Sequence, residues 1–282
     1  MSLGFQSAGF EIAAAYDNWQ PAIDIYKKNF QHPIYQMDLS DLSVVDQLTQ
    51  HKADVIVGGP PCQDFSIAGK RNFKGSRADL TYKFSEIIAE VRPKWFVMEN
   101  VYNIEKSPVL NDVLNCFKSA GYGLTAGVYE ASRMNVPQNR KRYFLIGKLD
   151  ESDDFLKSSI EQSMAKNRMT VREYLGDMLQ TDYYYMHPRS YNRRAIFSVD
   201  EPSATIRGVN RPIPSSYVPH AADKTINKDL VRALTTKERS YLQTFPPEYQ
   251  LHGSKSNLEQ LIGNAVPVKM AEFIALRILE NF

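Results

Sequence analysis

Short apolar runs alternate with segments of helical spacing through the first 150 residues, and this alternation narrows the fold more than any other feature. Residues 12–16 read as a short strand ending at Asp17, and 21–30 follow with helical spacing. Residues 54–57 are a compact β-branched run leading into GGPP. Residues 82–91 have the spacing of an amphipathic helix. Residues 94–98 read as a buried strand ending at Glu99 and Asn100, 109–120 as a helix, and 143–146 as a further buried strand. Strand and helix in turn predict a mainly parallel sheet with helices on both faces. Ligands of such sheets sit outside the carboxyl ends of the strands. Asp17, Cys62 and Glu99 are therefore expected on one edge.

The pattern changes near Lys148. A polar stretch leads into a region rich in tyrosine, proline and arginine with little periodicity, and a second domain is placed at 151–232. Order returns at TTKERSYLQTF, where Thr235 and Glu238 have capping-box spacing and Pro246 with Pro247 stops the helix. A long helix, 268–279, ends the chain.

Of the residues, 43% are hydrophobic and 23% charged, a balance that forms a core rather than a disordered chain. No apolar run approaches the ~20 residues that span a bilayer. The start lacks a signal-peptide pattern, and a cytoplasmic protein is expected. Two cysteines and five scattered histidines give no metal-site spacing. The net charge of +2 leaves any nucleic-acid role to a local concentration of positive charge.

Four residues stand out chemically. Cys62, in VIVGGPPCQDFS, follows a strand and sits in a Pro-Pro turn, where a thiol near a cation can act as a nucleophile. Cys116 lies in a helical stretch and reads as packed. Glu99, after the run FVM, is expected to be buried, with a raised pKa that suits proton donation. Arg140 and Arg142, in VPQNRKRYFLIG, lie two apart on an extended chain and share a side. For each there is a plainer alternative: a small buried hydrophobe, a solvated loop acid, two solvated arginines.

Taken in order, PPCQDFS, ENV, QNRKR, a variable segment and IGNAVPVKM resemble the cytosine-C5 DNA methyltransferase family, over nearly the whole chain. The resemblance implies a Rossmann-like S-adenosylmethionine-dependent methyltransferase fold, with a catalytic domain at 1–150 and 233–282 and a target-recognition domain at 151–232. It makes Cys62 the thiolate that adds to cytosine C6. It sets Glu99 at the N3 and amino edge of the base and Arg142 at its O2, with Arg140 beside it. No metal is required. For S-adenosylmethionine it implies Asp17 at the ribose hydroxyls, with Asn18 next to it, and Asp38 at the adenine amino group, with Leu39. Leu80, Pro60, Asn264 and Val266 complete that pocket.

The partner implied is double-stranded DNA with its target cytosine flipped out. Gln63, Ser66, Arg71 and Arg77 come after the cysteine. Lys70, Arg71, Lys74 and Arg77, with two glycines, suit a mobile loop closing over DNA. Thr205 and Ile206, in ATIRGVNRP, resemble a short Thr-aliphatic signature of the recognition region. Arg193, Arg194, Arg207 and Arg211, with Arg189, supply a local basic patch. A monomer in a bacterial restriction–modification setting is expected.

Members of the family begin with a strand and a Phe-x-Gly-x-Gly loop around the methionine end of the cofactor. The start MSLGFQSAGFE resembles the residues just after that loop. A missing N-terminal segment or a complementary subunit is therefore expected as a partner. The chain by itself is expected to be less stable than a complete relative and to bind S-adenosylmethionine poorly. The alternatives are a catalytically silent DNA-binding remnant, one part of a split enzyme, or an RNA cytosine methyltransferase of the same fold. A dinucleotide oxidoreductase is disfavoured, since no Gly-x-Gly-x-x-Gly loop is present.

Overall fold

The structure, a computed structural model, describes residues 1–40, 44–61, 78–190 and 192–282. Its first half carries α1 (Ser2–Ser7), β1 (Ala15–Asp17), α2 (Gln20–Asn29), β2 (Ile34–Gln36), α3 (Val44–Gln50), β3 (Val55–Gly58), α4 (Ala78–Val91), β4 (Trp95–Val101), α5 (Pro108–Ser119), β5 (Tyr122–Glu130), β6 (Gln138–Asn139) and β7 (Lys141–Leu149). The main sheet has the order β3-β4-β7-β5, while β1 and β2 pair in parallel as a separate ladder. β3 is parallel to β4, and β7 is antiparallel to both β4 and β5. Three of the four strands therefore share a direction, and β7 alone opposes them.

The alternation of side chains along β4 explains why the sheet must be covered twice. Trp95 and Val97 enter one core with Phe144, Ile146 and the C-terminal helix. Phe96 and Met98 enter the other with Tyr143, Leu145 and residues of α4 and α5. All four are fully buried, which a strand buried on both faces requires. The two layers meet closely at Gly147, which pairs with Phe96. A Cβ there would lie 2.0 Å from Phe96 Cε1, and that ring is already stacked on Phe117 at 4.1 Å. Gly147→Ala is therefore expected to destabilise the fold by about 1–3 kcal/mol. A melting temperature equal to that of the parent would show that the ring has room to move.

The second half carries α6 (Lys157–Ser163), α7 (Val171–Leu175), β8 (Tyr183–Tyr185), β9 (Ile196–Ser198), β10 (Ser203–Ala204), β11 (Val231–Ala233), α8 (Thr236–Leu242), α9 (Lys255–Asn264) and α10 (Val268–Leu279). Leu156 and Ile160 pack into the core beside α10. Strands β11-β8-β9 form a small sheet, and β10 pairs in parallel with β6. The core of this region joins Val171, Leu175, Tyr184 and Phe197 to Leu242 of α8 and Ile262 of α9. The capping box read at Thr235 and Glu238 starts α8. No helix among the described residues is long and apolar enough to cross a membrane.

The start of β1, the end of β4 and the placement of Cys116 differ from the reading of the sequence. β1 begins at Ala15, because Phe10 and Ile12 pack against the core instead of pairing. β4 runs on through Glu99 and Asn100 to Val101, because its ladder with β7 continues past the apolar run. Cys116 is only partly buried and lines an open groove with Arg92, Asp112 and Asn115.

Candidate active site

The continued ladder carries Glu99 inward. It pairs with Phe144, and Val101 pairs with Arg142 on the opposing strand. Arg142 Nε lies 2.9 Å from Glu99 Oε1, with both side chains nearly buried. Burial holds the Glu99 carboxyl above its usual range, although Arg142 and Arg140 both pull it down. Burial likewise lowers Arg142, with Glu99 opposing. Arg142 Nη1 also donates to its neighbour's carbonyl, Lys141 O, at 2.7 Å.

The turn after β3 is fixed to the same strand. Asn100 Nδ2 donates to Pro60 O at 3.0 Å, and Asn100 Oδ1 accepts from Val101 N–H at 2.8 Å. A Cβ on Gly59 would lie 3.3 Å from Glu99 Oε2, so a side chain at this turn would press on the carboxylate. Asn100 was not singled out in the sequence; its place in the ENV motif was the available signal. Cys62 is the second residue after Pro60. It lies outside the described residues, as do Gln63, Ser66, Arg71, Arg77, Lys70 and Lys74.

Arg140 and Arg142 go to different partners. Arg140 is fully buried and donates through Nη1 to Ile206 O at 2.9 Å. Its Nη2 donates to Gly263 O and Ala265 O, each at 3.0 Å. Burial, then Arg142, push its pKa down to about 9, so it is still charged at neutral pH. Here Arg140 ties the segment at Ile206 to the GNAVP segment, and of the two arginines it is Arg142 that makes the ion pair with Glu99.

The residues assigned to the cofactor lie on several elements. Asp17 and Asp38 sit at the carboxyl ends of β1 and β2. Asp17 Oδ1 accepts Trp19 N–H at 2.8 Å, and Asp38 Oδ1 accepts Ser40 N–H at 2.9 Å, which lowers the Asp38 pKa. Asn18 and Asn264 are exposed, Leu39 and Leu80 are half-buried, and Val266 is packed into the core. Half-buried Asp17 and exposed Asp38, at the ends of parallel strands, are hydrogen-bond acceptors suited to the hydroxyls of a ribose and the amino group of an adenine. Among the described residues, no hydrogen bond or ion pair joins Asp17, Asp38 and Asn264 to one another.

The basic patch is smaller than the sequence suggested. Arg194 forms two hydrogen bonds with Glu201, at 3.0 and 2.9 Å, and lies over the Phe197 ring, so its charge is neutralised. Ile206 is fully buried, and Thr205 Oγ1 donates to Asn139 O at 2.9 Å. These two face the scaffold. Arg189, Arg193 and Arg211 are exposed, with no carboxylate at ion-pair distance among the described residues. Arg207 donates to His187 O. Burial lowers the His187 pKa, and Arg211 and Arg207 add to the effect. His187 was missed in the sequence because a lone histidine among arginines carries no spacing signal.

A mainly parallel, Rossmann-like sheet carries this buried acid–arginine pair beside a strand-end turn, the fold of the C5 methyltransferases. The chain belongs to the C-5 cytosine-specific DNA methylase family, whose sequence profile matches residues 1–280. It is 54% identical to the Type II methyltransferase M.HindV of Haemophilus influenzae, over 100% of this chain and 93% of that protein. It is 51% identical to the Type II methyltransferase M.HgiDI of Herpetosiphon aurantiacus, over 98% and 89%. Among solved structures, the S. pombe Dnmt2 methyltransferase superposes with a TM-score of 0.77 at 20% identity, covering 100% and 96%, and shares the fold.

Proposed function

We propose that this chain methylates C5 of a flipped-out cytosine in a short DNA sequence, taking the methyl group from S-adenosylmethionine. The observation that carries this reading is the buried Glu99–Arg142 contact, 2.9 Å long, with the Pro60 turn tied to the same strand. The Type II names of the relatives support a restriction–modification role in a bacterial cytoplasm.

In this reading Cys62 thiolate adds to C6, forming a carbon–sulfur bond and pushing the ring's electron pair toward C5. Glu99, its pKa raised by burial, holds a proton at N3 and stabilises the charge that addition places on the ring. Arg142 orients the Glu99 carboxyl and reaches the base O2. S-adenosylmethionine, which Asp17 and Asp38 and the Pro60 and Asn264 segments would hold, would supply an electrophilic methyl group. The C5 electron pair would form the new carbon–carbon bond as the methyl–sulfur bond breaks and its electrons stay on sulfur as a neutral thioether. Loss of the C5 proton to a solvent base, with departure of the Cys62 sulfur as thiolate, then restores the aromatic ring. Extracting the base from the duplex costs a few kcal/mol, which contacts from Arg189, Arg193, Arg207 and Arg211 offset.

A second reading has one observation in its favour. Among the described residues, β1 and β3 each have a single ladder partner, and the two ladders are separate. Unpaired strand edges accept a further strand, so a complementary segment that pairs with them can complete the enzyme.

The test is covalent trapping. The protein is incubated with S-adenosylmethionine and a random-sequence duplex carrying 5-fluorocytosine, which blocks the final elimination. The expected result is a protein–DNA adduct by mass that is absent from Cys62→Ala. DNA binding without an adduct, unchanged when a strand-and-loop segment is added, would overturn the catalytic reading.

A further inference from the structure

Away from the Glu99 pocket, the molecule buries a second ion pair. Arg239 Nε of α8 and Glu259 Oε2 of α9 are 2.7 Å apart, with side chains 2% and 4% exposed. Those two atoms are not aligned for a hydrogen bond to each other, so charge rather than a directed bond holds them. Two apolar side chains would fill the same space without desolvating charge, and such replacements are often neutral or stabilising. Stability alone therefore does not account for the pair.

Its remaining contacts do. Arg239 Nη2 donates to Arg207 O. Glu259 Oε1 accepts from Asn210 Nδ2 at 2.9 Å and from Thr236 Oγ1 at 2.7 Å, and Asn210 Nδ2 also donates to Leu234 O at 3.0 Å. Between these points the loop lies directly on α9: a Cβ on Gly263 would sit 2.2 Å from Gly208 N. At the loop's other end, Ile206 N–H donates to Gln138 Oε1 at 2.9 Å, and Arg140 donates to Ile206 O. Loop 206–210 is thus held by its main chain at Ile206 and Arg207, from β6, Arg140 and α8, and by the Asn210 side chain from α9. The arginines this loop carries or leads into, Arg207 and Arg211, are those gathered around His187.

We propose that Arg239 and Glu259 are positioning residues for sequence recognition. They fix loop 206–210 so that Arg207 and Arg211 meet the DNA at a set distance from the base pocket. The proposal rests on the methyltransferase reading above. The ruler is the segment 138–142: Gln138 and Arg140 hold the loop, and Arg142, two residues on, holds Glu99. An arginine that reads guanine bidentately discriminates by about ten- to hundredfold, but only while its mount is rigid.

The test is the paired variant Arg239→Met/Glu259→Leu, which fills the space without the polar grip. The target site is first read from the wild type by methylation sequencing. Expected are a melting temperature close to that of the wild type and an effect on KM for DNA rather than on kcat. Discrimination between the target duplex and single-base variants falls about tenfold or more. Hydrogen exchange of amides 207–211 accelerates. A folded paired variant with unchanged discrimination and unchanged exchange would overturn the proposal. Should the pair fail to fold, Asn210→Ala removes one contact between Glu259 and the loop and carries the same readouts; no change in them would be equally fatal. A wild type that transfers no methyl group sinks the methyltransferase reading instead, and exchange at 207–211 still decides whether the pair is a clamp.

Discussion

Glu99→Gln is expected to lower kcat on DNA by about 10²–10⁴-fold while DNA binding persists. Glutamine keeps the shape of the side chain and can donate a hydrogen bond, but it cannot hand over a proton. The geometry makes the proton matter. Glu99 is buried, its Oε1 is 2.9 Å from Arg142 Nε, and Gly59 lies on the side of Oε2. Burial raises its pKa against the pull of both arginines. The wild-type rate should therefore be bell-shaped in pH, set jointly by the Glu99 carboxyl and the Cys62 thiol. In Glu99→Gln the carboxyl limb disappears, and the residual rate rises with pH as the thiolate forms. A bell of unchanged shape in the variant would remove Glu99 from the proton's path.

The same group makes a statement about stability. The folded pKa of Glu99 lies above the unfolded value of 4.5. Its contribution is fully present below pH 4.5 and is lost as pH rises through the folded pKa. The melting temperature of the wild type minus that of Glu99→Gln should accordingly fall as pH rises across that window. Other groups titrate in both proteins and cancel in the difference. A difference that grows with pH would show that Arg142 wins over burial.

The α/β architecture was legible because burial on both faces leaves nearly unbroken apolar runs, and WFVM is one of them. The end of β4 was not legible, since hydrophobicity stops at Met98 while the hydrogen-bonded ladder continues through Glu99 to Val101. A strand that ends in a polar pocket hides its last residues from any reading by apolar pattern. The parallel pairing of β10 with β6 joins residues more than sixty positions apart, and no local signal announces it. The same holds for Arg239 and Glu259, on two helices whose internal periodicity says nothing about which residues meet between them. Arg194 misled for a different reason. Charge counting treats every arginine as available, and the two hydrogen bonds to Glu201 appear only in three dimensions.

Arg140→Met should separate the two arginines that the sequence treats as a pair. The guanidinium is the hydrogen-bond donor, among the described residues, to Ile206 O and Gly263 O, while Ala265 O is shared with Gln243 Nε2. Methionine fills much of the volume but donates nothing. Two buried carbonyls then lose their donor, at about 1–3 kcal/mol each. Part of this is offset because Arg140 Nε, itself buried without a partner, is removed as well. The net loss should lower the melting temperature by on the order of 10 °C for a chain of this size. Arg140→Lys should recover only part of it, because one compact ammonium cannot reach three carbonyls in the fixed fork of a guanidinium. The damage should also spread to recognition, since Ile206 and the loop after it hang on this side chain. Turnover that collapses at an unchanged melting temperature would place Arg140 on the substrate, next to Arg142, and would end its role as the link between the two regions.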